Sequence, residues 1–302
     1  MRKRTLIAGL GITAVAALAL TGCNSGTPSA TPDASEGGAA DVWFTVADPK
    51  PAVEGSDTVA AITERGTVKV GVKEDQPNLG YLDPTTGERS GFDIDVARWV
   101  AASLGYDEAD IDFQVIDSAN REQAIINGDI DYYVGTYSIT DKRKEQISFA
   151  GPYFVTGQGL LVAADDDTIT GVDALTADSI VCSVTGSTSI ERIKTETPAG
   201  TVELSKYSEC VEQLKNGQVD AVTTDQAILI GYAAQDPDNL KVVGDPFSEE
   251  RYGIGVQKGD TAFVEFINTT LTDGPDIWTA IFDKNLGPAG VTGTQPAVDA
   301  AE

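Results

Sequence analysis

The residues best suited to chemistry lie in the stretch 134–154, which reads VGTYSITDKRKEQISFAGPYF. An apolar run ends in the small and hydroxylated residues Gly135, Thr136, Ser138 and Thr140, and the cations Lys142, Arg143 and Lys144 follow. Hydroxyls beside an arginine offer neutral donors and one planar cation to a single small anion. A guanidinium can grip a carboxylate through two parallel hydrogen bonds, each about twice as strong as a neutral one. The plainer alternative makes 141–145 the solvated first turn of a short helix capped by Thr140, since exposed charges are usually just solvated. The chain carries 47 acidic and 21 basic residues, a net charge of −26, so a cationic cluster calls for explanation. The same balance argues against nucleic acid or anionic lipid surfaces as partners, because both need a basic patch. A small anionic ligand stays open, since charges beyond about 8 Å are largely screened and the pocket's own residues decide.

No histidine occurs anywhere in the chain. That removes Ser-His and Cys-His nucleophilic machinery and His-based zinc sites, and nothing else in the sequence implies a metal or a cofactor. Residues 1–22 read as a signal segment, with Arg2, Lys3 and Arg4 ahead of an apolar core at 6–20. Leu20-Thr21-Gly22-Cys23 resembles the lipobox of bacterial lipoproteins, in which the cysteine is diacylated and becomes the mature N-terminus. An uncleaved anchor helix is the alternative, but the apolar run is short for a bilayer. Two acyl chains, palmitate among them, on Cys23 would hold the protein stably at the extracytoplasmic face of the cell membrane. Residues 23–56 are rich in small and polar types and read as a flexible tether, within which Trp43 and Phe44 have no evident place. In an exported protein the remaining cysteines, Cys182 and Cys210, read as a disulfide. A catalytic thiol is the poorer reading, with no histidine to activate it.

From residue 57 onward short apolar strands alternate with helical patterns, which implies a parallel α/β architecture. Strands are expected at 67–72, 111–115 and 130–134, with helices at 57–65, 92–104 and 119–126. The second half repeats the order, with strands at 179–184, 201–204 and 219–223 and helices at 189–195, 210–215 and 226–234. An internal echo supports duplication: Asn127-Gly128-Asp129-Ile130-Asp131 and Asn216-Gly217-Gln218-Val219-Asp220 both close a helical pattern and open a strand. The constant offset makes Thr136 and Asp225 equivalent positions at the carboxyl ends of equivalent strands, where open α/β sheets bind ligands. Two facing lobes would set Thr136, Ser138 and Arg143 across a cleft from Asp225. The competing role for Asp225 is a helix N-cap. Segment 158–163 should carry the chain into the second lobe and 251–256 should bring it back. Lobe one is then 57–157 with 251–290, lobe two is 158–250, and two crossings make the hinge. Helices at 261–272 and 276–285 complete lobe one, and 291–302 reads as a disordered tail.

Gly91-Phe92-Asp93-Ile94-Asp95-Val96, followed by Val100, Ala101 and Leu104, matches the signature of the family 3 extracellular solute-binding proteins, the polar amino-acid receptors of ABC importers. Acidic residues at a helix start are favourable against its dipole, so the motif itself is structural. The resemblance runs from about residue 62 to 287. The chain is similar to the actinobacterial glutamate-binding lipoproteins through VKEDQPNLG, SANREQAIINGDID, TYSIT, IVCSVTGSTS and DAVTTDQAIL.

That resemblance implies a two-lobe, type II periplasmic-binding-protein-like fold without enzymatic activity. It also implies a monomer that closes on an acidic amino acid, L-glutamate or L-aspartate, and delivers it to an ABC permease. By the same resemblance Ser138 and Arg143 take the ligand α-carboxylate, and Asp225, helped by Thr136, takes the α-ammonium. The turn Gly186-Ser187-Thr188, between a strand and a helix, would hold a carboxylate oxygen through backbone N–H groups. The family often carries lysine or glutamine near 184–185, and this chain does not. Lys73 and Arg121 match the positions whose cations hold the side-chain carboxylate in acidic-amino-acid receptors. The alternative pairs Lys73 with Glu74 or Asp75, and Arg121 with Asp117, on the surface, where such pairs matter little. A glutamine receptor would avoid these extra cations, because unpaired buried charge is costly. Three further readings are a glutamine or asparagine receptor, an amino-acid sensor for a membrane kinase, and a dehydratase-like enzyme needing a carboxyl of raised pKa.

Overall fold

A computed structural model describes residues 44–301. The signal segment, the lipidation site Cys23, Trp43 and most of the tether lie outside the described residues. Helix α1 (Asp57–Arg65) starts where the Ser56 hydroxyl accepts the Val59 amide and stops at left-handed Gly66. Strand β1 (Val68–Val72) leads to three short strands, β2 (Asp75–Gln76), β3 (Gly80–Leu82) and β4 (Arg89–Ser90), which pair as a small antiparallel sheet that the sequence pattern does not announce. Next come α2 (Phe92–Ser103), β5 (Ile111–Val115), α3 (Arg121–Ile126), β6 (Tyr132–Tyr133), the single turn α4 (Asp141–Lys144) and the long β7 (Ser148–Thr156).

The second half runs β8 (Gln158–Ala163), β9 (Ile180–Val184), α5 (Thr188–Glu196), β10 (Gly200–Leu204), α6 (Tyr207–Lys215), β11 (Ala221–Asp225), α7 (Gln226–Gln235) and β12 (Leu240–Val243). The chain then returns through β13 (Glu250–Val256) to α8 (Thr261–Asp273) and α9 (Pro275–Asn285). Among the described residues no helix is long and apolar enough to cross a membrane.

Two five-stranded sheets result, ordered β5-β1-β6-β13-β7 and β10-β9-β11-β8-β12. In each, the first three strands are parallel and the fourth is antiparallel to its neighbours. That fourth strand is a crossing segment: β8 follows β7 out of the first sheet, and β13 follows β12 back into it. This is the two-lobe type II arrangement, with α/β layers on both sides of a two-segment hinge. Aromatic packing holds the returning helices to lobe one, since the Phe92 ring lies 5.5 to 6.2 Å from those of Tyr153, Phe154, Trp278 and Phe282. The Cys182–Cys210 disulfide ties β9 to α6.

Four local expectations differ from what is found. Strand β6 covers two residues rather than 130–134, although the Asp131 and Val134 amides on either side still reach the β1 carbonyls of Lys69 and Gly71, and the chain then turns at Thr136, whose φ is +47°. Helix α6 begins at Tyr207, ahead of 210, because the Glu209 carboxylate accepts the Ser205 and Lys206 amides, both at 3.1 Å. The end of the supposed tether is docked: Phe44 and Val53 pack on the core, Lys50 sits 3.2 Å over the Tyr106 ring, and Ala47 donates to the Ala102 carbonyl at 2.9 Å. Residues 291–301 form no helix or strand, yet they are fastened rather than loose. Asp299 donates its amide to Gly151 (2.7 Å), pairs with Arg251 (2.7 Å), and accepts at its carbonyl from Asn268 (2.9 Å).

Candidate ligand-binding site

The turn α4 is capped as its sequence suggests, the Thr140 hydroxyl accepting the Arg143 amide at 3.3 Å. Its second cation nevertheless turns inward. Arg143 is buried; its Nη1 donates to the Ser138 carbonyl (2.6 Å), its Nη2 to the Gly186 carbonyl (3.0 Å), and its Nε faces Glu122 (3.2 Å). Arg121, the first residue of α3, is equally buried. Its Nε donates to the Ser118 carbonyl (3.0 Å), Nη1 to the Thr136 carbonyl (3.4 Å) and Nη2 to the Gly186 carbonyl (3.3 Å). Both guanidinium groups lie over the Tyr137 ring, at 4.3 Å for Arg121 and 4.9 Å for Arg143. The negative ring face offsets part of the repulsion between two adjacent cations. Burial first, and Arg121 second, push the Arg143 guanidinium down to about 10.

Lys73 follows β1 directly. Parallel pairing of Val72 with Val115 brings it level with Ile116, where its ammonium donates to the Ile116 carbonyl (3.2 Å) and the Ser118 hydroxyl (2.9 Å). Neither surface pairing expected as the alternative for Lys73 is present: Glu74 pairs with Lys206, and the Asp75 carboxylate accepts the Ser208 amide at 3.1 Å. Thr136 is held by Asp93 of the family signature, which accepts the Thr136 amide (3.0 Å) and the Tyr153 hydroxyl (2.7 Å). Gly91 permits this helix start, because a Cβ there would fall 2.1 Å from the Leu79 carbonyl oxygen.

On the opposing wall Asp225 ends β11 and takes the N-cap position of α7, but its side chain makes no capping bond. Its Oδ2 accepts the Tyr252 hydroxyl at 2.7 Å, while its buried Oδ1 has no hydrogen-bond partner among the described residues. Burial first, and Glu250 second, raise this carboxyl to about 7. A buried acceptor left unpaired is costly, and a ligand ammonium would supply the missing donor. Ser187 caps α5 by accepting the Ile190 amide (3.1 Å). In this turn the Ser187 amide is donated to the Val184 carbonyl (3.2 Å), and the Gly186 carbonyl accepts from both arginines of the first lobe.

Between these walls lies a narrow cavity of about 10 Å³. Lobe one lines it with Ser118, Arg121, Thr136, Ser138 and Arg143, and lobe two with Ser187, Thr188, Ser189, Tyr207 and Asp225. Lys73 and Gly186 do not line it; Lys73 stands behind Ser118, and Gly186 bridges the two arginines from across the cleft. The lobes also touch at the cleft edge through Glu74–Lys206 and through the Tyr232 hydroxyl, which donates to Asp75. Sequence reasoning missed Ser118, Ser189, Tyr207, the Tyr137 shelf and the Tyr252 donor. Of these, Ser118, Ser189 and Tyr137 carried a signal, as neighbours of residues already singled out. Among the described residues no cluster of acidic or sulfur side chains could hold a metal ion.

Comparisons with known proteins agree with this architecture. Residues 68–287 match the family described as bacterial extracellular solute-binding proteins, family 3. The glutamate-binding protein GluB of Corynebacterium efficiens is 43% identical over 228 residues, covering 72% of this chain and 77% of that one. The glutamine-binding protein GlnH of an ABC transporter in Bacillus subtilis is 41% identical over 216 residues, covering 71% and 78%. Among solved structures, an ancestral arginine-binding protein bound to arginine superposes with a TM-score of 0.68 at 34% identity, over 74% of this chain and 99% of that one. These relatives are named as binding proteins and not as enzymes. The chain belongs to the bacterial extracellular solute-binding proteins of family 3.

Proposed function

We propose that this protein is an amino-acid receptor selective for an acidic ligand, L-glutamate or L-aspartate, which it encloses by hinge closure and delivers to an ABC permease. Lobe one (57–157 and 251–290) binds first in this reading, and lobe two (158–250) closes over the ligand. Arg143 and Ser138 receive the α-carboxylate, Asp225 receives the α-ammonium, and Arg121 with the Lys73 charge behind it serves the distal carboxylate. The observation that carries the proposal is two guanidiniums on the Tyr137 ring that share a cavity with one carboxylate whose Oδ1 has no hydrogen-bond partner among the described residues. That layout suits a zwitterion with an additional negative arm, because each buried charge then finds an opposite one. A lipid anchor on Cys23 would keep the monomeric receptor near its permease and raise the effective concentration of the encounter.

Titration calorimetry with L-glutamate, L-aspartate, L-glutamine and L-asparagine tests the reading. The acidic ligands are expected to bind at least tenfold more tightly than the amides, about 1.4 kcal/mol or more. A second reading, a glutamine receptor, is supported by the Bacillus subtilis relative at 41% identity. Preference for the amides in the same titration would establish it and remove the acidic assignment.

A further inference from the structure

We propose that Glu250 is a positioning residue for ligand binding, joining both crossing segments of the hinge to the first turn of α5 at the edge of the cavity. The inference rests on the receptor reading above and names the device that passes hinge closure to that site.

Glu250 opens β13, the strand that returns to lobe one, and its backbone pairs there with Thr156 of β7. Its carboxylate is bound within lobe two instead. Oε2 accepts the Thr188 hydroxyl at 3.0 Å, and Oε1 accepts the Ser248 hydroxyl at 2.9 Å. Thr188 is the first residue of α5 and lines the ligand cavity, whereas Glu250 and Ser248 do not. The Ser248 oxygen in turn accepts the amide of Gln158, which opens the outgoing crossing β8, at 3.0 Å. Gly157 lets the two crossings approach this closely, because a Cβ there would fall 2.3 Å from the Ser248 carbonyl oxygen. A chain of hydrogen bonds therefore runs from the first crossing through Ser248 and Glu250 to a wall of the cavity. Glu250 is 3% exposed, and the Arg192 guanidinium stands 3.9 Å away while pairing with Glu196 at 3.0 Å. A carboxylate buried mainly against neutral hydroxyls serves stability poorly compared with an apolar side chain of its size.

The same side chain acts on the Asp225 wall. Glu250 and Tyr252 are two apart on β13 and project to one face, and Tyr252 donates to Asp225 at 2.7 Å. The groups facing Asp225 are Glu250 and Tyr252 from β13, Arg143 and Arg121 from lobe one, and Tyr207 from α6. Those facing Glu250 are Thr188 and Arg192 from α5, Ser248, and at longer range Asp225 and Arg143. After burial, the Glu250 charge is the largest cause opposing ionisation of Asp225. A ligand ammonium needs Asp225 ionised, so Glu250 should hold affinity down on the acid side.

Titration calorimetry with L-glutamate and L-glutamine on the full chain compares the parent with Glu250→Met, Ser248→Ala, their double variant and Glu250→Gln, melting temperature confirming that each is folded. If Glu250→Met does not fold, Thr188→Val takes its place beside Ser248→Ala. Glu250→Met should weaken binding at least tenfold. Ser248→Ala should weaken the parent about threefold and the Glu250→Met variant not measurably, because the link is already cut. Glu250→Gln keeps the shape and the hydrogen bonding and loses the charge, so at pH 8 it should bind within about threefold of the parent. Between pH 8 and pH 6 the parent should lose about tenfold in affinity and Glu250→Gln less than threefold, since Asp225 then stays ionised to lower pH. Additive losses from Ser248 and Glu250 overturn this inference alone. Equal losses between pH 8 and pH 6 in the parent and Glu250→Gln do the same, being the result a purely structural carboxylate gives. A parent that binds neither amino acid overturns the receptor reading and this inference with it.

Discussion

In lobe one the Asp131 carboxylate accepts the Lys69 amide at 2.7 Å while its own amide donates to the Lys69 carbonyl at 2.8 Å. In lobe two Asp220 makes the same reciprocal pair with Ile180, at the same two distances. Both pairs fix the start of a central strand beside a parallel neighbour, β1 in lobe one and β9 in lobe two. Five residues further on the copies part. Strand β11 runs straight to Asp225 and delivers one carboxylate. Strand β6 breaks off, and the backbone turns at Thr136 so that its carbonyl and that of Ser138 can seat two guanidiniums. The shared part fixes where the strand ends point; the divergent part decides the sign of charge each wall presents.

Removing a cation from the first wall should break the comparison most severely. Arg143→Ala leaves a ligand carboxylate buried without its fork, a loss of about 3 kcal/mol or more, on the order of a hundredfold in affinity for every amino acid. Calorimetry checks this, and unchanged binding would put the site elsewhere. Asp225→Asn probes the second wall with a somewhat smaller effect, about tenfold to a hundredfold, and adds a pH signature. The Asp225 carboxyl is raised to about 7 in the folded protein from an ordinary 3.8. Its protonated form is the one folding favours, so the stability it contributes is present below about pH 4 and is lost as pH rises to about 7. An ammonium ligand needs the ionised form, so affinity should fall about tenfold per unit below pH 7. Asp93, also raised to about 7 by burial, shares the stability trend, so the parent-minus-variant difference in melting temperature is what isolates Asp225.

Gly186→Ala sharpens the account of closure. Its φ of +81° disfavours any side chain, and a Cβ would lie 2.8 Å from the Ala119 Cα of the other lobe. Lobe closure should weaken and affinity drop about tenfold, with small-angle scattering of the ligand-saturated protein showing a larger radius of gyration. The smallest effect belongs to Lys206→Met, which unpairs Glu74 at the cleft edge. Both side chains are partly exposed, 38% and 24%, so affinity should change by less than about threefold, in line with exposed pairs.

The strand ends were legible in sequence because the Asn-Gly echo repeats at a constant interval, and the alternation of strands with helices carried the rest of the topology. Arg143 was legible through its spacing from Ser138. Its burial was not: a capped turn of DKRK looks the same whether its second cation faces water or a cleft. The depth of Lys73 follows from the register that sets Ile116 beside Val72, a fact of strand pairing rather than of local pattern. Tyr252 reaches Asp225 from a crossing strand, and no spacing rule joins two residues on different sheets. The small polar tail read as disorder because composition reports what a segment can bury, and here it is held by polar bonds to a surface already folded.

That tail has a practical use. Asp299 grips Gly151 on β7 and Arg251 on β13, so this end of the chain rides with the first sheet. A fluorophore fused at the C-terminus should travel as part of that body. Paired with a dye at Glu196, 58% exposed on lobe two, it would turn the receptor into an energy-transfer gauge of closure.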